Sequence, residues 1–546
     1  MLLIHAFSVW ATLFVCSAGT PFSAAISRNE PVIDLGYSQY QGTTLDAGVN
    51  QYLGMRFAAA PVGNLRFRAP IDPLPTVGVQ NATNFQPICL GISTKLPSST
   101  QAEDCLFINV WGPAKATAGS KLPVWVYIQG GGYVANSNAN YNGSTVVANS
   151  KQNIVFVNFN YRVASWGFLA SEKVRAGGDL NVGLLDQRLA LKWVQDHIEQ
   201  FGGDPSHVVI HGASAGAGSV ALHLTAYGGR NDNLFVGGIA ESPFLPTQPQ
   251  VSELEWQFDT YATAAGCGNA TDQLTCLRSK DTATLQAVNV PTVYPGRTAV
   301  PLFYWTPTID GDFIRDYPYL LIDQGKFVKV PIIVGDDTNE GSGFAANASS
   351  PADVAAFFQN NYPLLTTDDT DAINAQYPLM PPLPEHAAYF PSASAAYGDS
   401  TFTCPGNLLA STFSKINTPY QVWNYRYNVL QQNNVDAGLG VPHTFESPAI
   451  FGVGDAGDNP NSSYSTYNAG IVPIMMNYWI SFVRDLSPNR YKYSPAPHWE
   501  SFGSTDGEQG GRRILLQTNG TAMETIPDEL AQKCEFWKGL AVTMEQ

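Results

Sequence analysis

Ser214 stands in Gly212-Ala213-Ser214-Ala215-Gly216, and the flanks of this pentapeptide give it meaning. Before it, Val208-Val209-Ile210-His211 is β-branched and reads as a buried strand; after it, residues 217–224 read as a packed helix. A serine between strand and helix, with glycines on either side, is the arrangement of a nucleophile elbow. The turn exposes the hydroxyl, and the helix N-terminus behind it favours developing negative charge. A hydroxyl becomes a useful nucleophile only when a base takes its proton and a third group holds that base. After such an elbow the chain order is acid, then histidine. For the acid, Gly335-Asp336-Asp337-Thr338-Asn339-Glu340-Gly341 follows a strand directly and offers Asp336, Asp337 and Glu340. Spacing does not choose among them, and two of the three are expected to be solvated turn residues. Three histidines lie beyond the elbow helix. His443, in Gly440-Val441-Pro442-His443-Thr444-Phe445-Glu446, follows a strand, where a base can reach the serine. His386 sits in a proline-dense stretch that reads as exposed loop, and His498, beside Trp499, reads as surface. An oxyanion needs backbone N–H groups free of side chains. Gln129-Gly130-Gly131-Gly132 at the end of another strand supplies such a loop, so Gly131, Gly132 and Ala215 are the expected donors.

These residues need a scaffold that brings strand ends together. Residues 122–128 and 154–159 read as strands, 183–201 carries apolar residues at helical spacing, and the elbow strand and helix follow. Residues 235–240, 328–334 and 420–425 are further strands, and 471–483 a late helix. Continuous apolar strands separated by helices imply a mostly parallel α/β sheet covered on both faces. Residues 251–317 and 349–397 read as helical or irregular insertions over the C-terminal strand ends.

The chain has 546 residues, 44% hydrophobic and 14% charged, which suits one large buried core, and no linker or repeat divides it. A net charge of -16 argues against nucleic acid and anionic membrane surfaces as partners. The apolar run 2–16, followed by small residues, reads as a secretory signal; residues 1–24 are assigned to it, with the cut between about Ala18 and Ala25, and residues 25–546 to a single domain. No later stretch is expected to insert stably in a membrane. Cys16 falls in the signal, and six cysteines remain, an even number that suits three disulfides, with fifteen pairings open. Sequons at Asn81, Asn142, Asn269, Asn347, Asn461 and Asn519 suggest a glycosylated exterior. No metal-ligand spacing is present, and no cofactor is expected.

Several further segments resemble the type-B carboxylesterase/lipase family, which includes cholinesterases and fungal lipases. They are Glu103-Asp104-Cys105-Leu106-Phe107-Ile108-Asn109-Val110, Gly54-Met55-Arg56-Phe57, Pro61-Val62-Gly63-Asn64-Leu65-Arg66-Phe67-Arg68, Asn160-Tyr161-Arg162-Val163 and Phe201-Gly202-Gly203-Asp204-Pro205. The resemblance runs from about Pro31 to Trp537 and implies the α/β-hydrolase fold, carboxylic ester hydrolysis and a secreted, fungal-type member. It selects Glu340 as the acid and His443 as the base. It also implies the pairs Cys89–Cys105, Cys267–Cys276 and, as in cholinesterases, Cys404–Cys534.

Three departures qualify it. Gln129 stands where the family commonly has histidine before the glycine run, so a tuned oxyanion loop is expected. Ala213 stands where the family often has glutamate, so no buried carboxylate is expected beside the nucleophile, and the role of Glu446 is left open. The first disulfide loop, residues 90–104, is short and lacks the tryptophan that binds choline in cholinesterases. A short lid points away from interfacial activation, and the missing aromatic points away from choline esters. The sequence is thus read as a secreted serine carboxylesterase for small or soluble esters, secondary metabolites among them. Its alternatives are a true lipase on longer acyl chains and, in a different class, a catalytically silent binding or adhesion protein. Oligomeric state is not legible.

Overall fold

The computed structural model describes residues 30–93, 99–137, 139–416, 421–457, 462–503 and 511–546. The proposed signal and Asn461 lie outside them.

An 11-stranded sheet organises the chain. In chain order its strands are β1 (Thr43–Thr44), β2 (Val49–Arg56), β3 (Phe107–Pro113), β4 (Leu122–Ile128), β5 (Val155–Phe159), β6 (Gly203–Ala213), β7 (Gly237–Glu241), β8 (Ile332–Asp337), β9 (Val422–Tyr427), β10 (Arg512–Leu516) and β11 (Ala522–Thr525). Their spatial order is β11-β10-β9-β8-β7-β6-β4-β5-β3-β2-β1. From β5 across to β10 every pairing is parallel, and both flanks are antiparallel.

The apolar runs are continuous because both faces of the sheet are covered. Alternate residues of β4 divide between two cores: Val124, Val126 and Ile128 face one, Trp125 and Tyr127 the other. Four helices matter below: α1 (Val182–His197), α2 (Ala215–Gly229), α3 (Ser447–Phe451) and α4 (Val472–Asp485). Most strands agree with the sequence reading to within a few residues. The largest difference is β6, which runs well N-terminal of the apolar core 208–211.

The three implied disulfides are present: Cys89–Cys105, Cys267–Cys276 and Cys404–Cys534. The first loop is tied at both ends. Arg66 grips Glu103 and Arg56 grips Asp104 at its close, while Gln286 Nε2 and Asn289 Nδ2 donate to the Gly91 carbonyl at 2.8 and 3.1 Å near its start. Of the sequon asparagines, Asn81, Asn269, Asn347 and Asn519 are exposed, and Asn142 is half-buried.

Candidate active site

Parallel strands end on one edge, so residues that follow neighbouring strands meet. Five consecutive strands contribute here. Gln129–Gly132 follow β4, Ser214 follows β6, Ser242 follows β7, Asp336, Asp337 and Glu340 lie at the end of β8, and His443 comes after β9.

Ser214 occupies the turn between β6 and α2 with φ 59° and ψ -125°, a left-handed conformation held from both sides. Its N–H donates to the Glu241 carbonyl at 2.9 Å, and its carbonyl accepts from the Gly218 and Phe244 amides. Gly216 is required by close approach: a Cβ there would lie 2.0 Å from the Ile128 carbonyl oxygen. Ala215 is the first residue of α2, where amides have no intrahelical acceptor. Gly131 and Gly132 have φ 114° and 61°, and a Cβ on Gly132 would fall 2.0 Å from the Phe303 ring. Gln129 is buried and braces the loop, its Nε2 donating to Asn136 Oδ1 at 2.9 Å while its carbonyl accepts from Tyr161.

Glu340 is the carboxylate that meets His443. Its Oε2 contacts His443 Nδ1, and its Oε1 accepts from Ser242 Oγ and from the Asp337 amide, both at 2.6 Å. With Nδ1 engaged, His443 Nε2 is the nitrogen left for a serine hydroxyl. It is buried and has no hydrogen-bond partner among the described residues. Ser242, which the sequence reading missed, sits at φ 54°, and its N–H is tied to the Gly335 carbonyl at 2.7 Å.

Two expectations are corrected. Asp336 and Asp337 are buried, 3% and 0% exposed, because β8 continues through both instead of turning at Gly335. Burial pushes Asp336 up to about 7, against the pull of Arg513. Burial also raises Asp337, and the nearby Glu446 and Glu340 add to that rise. Nor is a carboxylate missing beside Ser214. Glu241 is the in-register neighbour of Ala213 across β6 and β7, and it is fully buried. Of the other histidines, His498 is exposed as expected. His386 is half-buried, stacked on Phe390 with its Nε2 3.0 Å from the Ala437 carbonyl.

Four phenylalanines close a ring above these groups. Centroid distances are 4.6 Å for Phe244–Phe303, 5.9 Å for Phe303–Phe344, 5.6 Å for Phe344–Phe402 and 5.6 Å for Phe402–Phe244. His443 packs on Phe402 at 4.2 Å and on Phe344 at 5.2 Å. Phe303 comes from the first expected insertion, and Tyr397 of the second packs behind Phe344 and Phe402. Among the described residues no group of three histidine, cysteine or acidic side chains could hold a metal ion, and no helix is long and apolar enough to cross a membrane.

Comparison with known proteins agrees with this fold. EstA of Aspergillus niger superposes with a TM-score of 0.92 and 56% identity, covering 95% of this chain and 99% of that one. Secreted lipase 1 of Botryotinia fuckeliana is 34% identical over 84% of this chain and 85% of its own length. Lipase 2 of Diutina rugosa is 32% identical over 89% and 92% respectively. Residues 29–537 match the carboxylesterase family, and with the α/β-hydrolase sheet and its elbow in place, the chain belongs to that family and is a carboxylic ester hydrolase.

Proposed function

We propose that this chain is a secreted serine esterase, a single domain after removal of residues 1–24, that hydrolyses small, dissolved carboxylic esters. Ser214 Oγ attacks the ester carbonyl while His443 Nε2 takes its proton and Glu340 steadies the imidazolium that forms. The tetrahedral oxyanion lies against the N–H groups of Gly131, Gly132 and Ala215. His443 then gives its proton to the departing alkoxide, leaving an acyl-serine. Water repeats the sequence: His443 takes a water proton, hydroxide adds to the acyl carbon, and Ser214 leaves with the proton returned.

The observation that carries the substrate reading is the phenylalanine ring. Its members pack on Gly132 at one end and on His443 at the other, so apolar rings crowd the reacting groups, which favours a small acyl group. The ties at Gly91, Glu103 and Asp104 support a site that opens without lid movement. Secretion is supported by the names of the secreted fungal relatives and by the even cysteine count. Glycans are proposed at Asn81, Asn142, Asn269, Asn347, Asn461 and Asn519.

The test is an acyl series of aryl esters, assayed below and above micelle formation, with Ser214→Ala as control. Highest turnover on acetyl to butyryl esters below micelle formation, abolished in the variant, is expected. A rate that rises only above micelle formation favours the second reading, a lipase for longer chains, to which the names of the Botryotinia and Diutina relatives point. Turnover unaffected by the substitution would overturn the assignment of Ser214, and no turnover at all would favour a silent binding protein.

A further inference from the structure

The acid and the base arrive on loops of unequal length. Glu340 lies three residues past the end of β8, whereas residues 428–442 separate His443 from the end of β9. A long loop costs chain entropy to fix, and its tip drifts unless something fastens it. The contact between Glu340 Oε2 and His443 Nδ1 is made by two side chains and cannot by itself hold both supports. Proton transfer needs them placed to within about half an ångström, so the loops themselves have to be joined.

Asn339, the residue before Glu340, makes that joint. Its N–H donates to the Val441 carbonyl at 3.0 Å, and its side-chain Oδ1 accepts from the Val441 amide at 2.9 Å. One residue thus completes a two-bond pair of the kind strands make, with a side-chain oxygen standing in for a carbonyl. Val441 is two residues before His443. Pro442, between them, has no N–H, so Val441 is the last residue before the base that can be held at both backbone groups. The chain makes room for the contact: Gly440 has φ 65°, and a Cβ there would fall 2.1 Å from Asn339 Oδ1. The joint hangs on a rigid support, since the N–H and Oγ1 of Thr338 donate to the Tyr427 carbonyl at the end of β9, at 3.0 and 2.9 Å. On the far side of the base, before α3, Tyr464 Oη donates to the Phe445 carbonyl at 2.5 Å. Between these two ties Thr444 keeps φ 61°, a left-handed conformation that a β-branched residue holds only where its surroundings impose it. Asn339 is exposed, yet the residue it grips is 1% exposed.

We propose that Asn339 is a positioning residue for ester hydrolysis: by holding Val441 at both backbone groups it locks the His443 loop to the Glu340 turn and so sets the hydrogen bond between acid and base. The inference rests on the serine-esterase reading. Without Oδ1 the Asn339 amide still holds the Val441 carbonyl, but the Val441 N–H is released and the loop pivots on one bond. Asn339 is not part of the phenylalanine ring, so the loss falls on the chemical step and not on ester binding.

The experiment measures kcat and KM on a dissolved aryl ester for wild type, N339A, N339L and N339D, per site titrated with a serine-directed organophosphate, with Tm alongside. N339A and N339L remove the acceptor, one by truncation and one at similar volume. Each should lower kcat by about five- to thirtyfold with KM within about twofold. N339D keeps an oxygen for the Val441 amide and should recover kcat to within about threefold of wild type. The proton between His443 Nδ1 and Glu340, read by NMR as a downfield resonance that Glu340→Gln removes, should shift or broaden in N339A and return in N339D. A merely structural role would lower Tm and leave both kcat per site and this resonance unchanged. That result in a folded N339A or N339L overturns the proposal, as does an N339D no more active than N339L. The resonance does not depend on turnover, and wild-type turnover that survives Ser214→Ala marks failure of the serine-esterase reading separately.

Discussion

Ser242→Ala removes one hydrogen bond from the carboxylate that holds His443 and touches little else. Among the described residues Glu340 Oε1 accepts from two groups, Ser242 Oγ and the Asp337 amide, each at 2.6 Å, and the residue is 2% exposed, so water does not readily replace the lost hydroxyl. The backbone is spared, because alanine and serine carry the same Cβ at φ 54° and the amide bond to Gly335 stays. A hydrogen bond to a charged buried group is worth roughly 1.5–3 kcal/mol. If Glu340 stabilises the imidazolium in the transition state, most of that loss falls on the chemical step. Because about 1.4 kcal/mol is tenfold, kcat should fall by roughly 10–100-fold with KM nearly unchanged. The assay is steady-state hydrolysis of a dissolved aryl acetate, normalised to sites titrated with a serine-directed organophosphate, with Tm as a check on folding. A folded variant whose kcat lies within about twofold of wild type would refute the claim that Ser242 orients the acid.

Gly132→Ala should lower kcat by about 100-fold, since its Cβ meets the Phe303 ring and displaces an oxyanion donor; adding Phe303→Ala should recover part of the loss and broaden acyl acceptance, read on the same ester series. Stability should fall between about pH 6.5 and 8, measured as Tm. Burial raises Asp336 and Glu446 to about 7 and Glu545 to about 8, so the folded protein binds more protons than the unfolded chain in this window, and that advantage is lost as pH rises through those values. The buried His211 and His223 are pushed well below 6.5 and so oppose this trend only below the window; a Tm constant or rising across it would contradict the assignment.

What the sequence made legible is what repeats locally. The elbow, the glycine loop and the strands β4 to β9 announce themselves through runs of apolar residues and their punctuation, and each lies within a few residues of where periodicity put it, except that β6 starts further upstream. In the antiparallel flanks β1 has two residues and β11 has none buried, too short or too wet to carry a pattern, whereas β2 and β3 are long and buried and the sequence reading passed over them. Asp336 and Asp337 were misread for a related reason. Carboxylates rarely stay buried, so a local reading places them in a solvated turn. β8, however, lies inside the sheet with β7 and β9 on either side, and both residues remain within it.

Pairing across strands is where local reading ends. His211 and Glu241 look like two polar residues in two apolar strands, each a flaw if considered alone. Only the parallel register of β6 and β7, with Trp125 from β4 and Trp479 from α4, turns them into one contact. The same holds for Ser242 and Glu340, which meet because β7 and β8 are adjacent, and for Gly132 and Phe303, which meet because an insertion folds back over the sheet edge. A single departure, Ala213, therefore cannot be read as the loss of a carboxylate. In a parallel sheet the neighbouring strand offers a side chain to the same face, less than two residue lengths away in space and many residues away in sequence. Whether a buried charge is present beside a nucleophile is a property of the sheet edge, and it has to be read there.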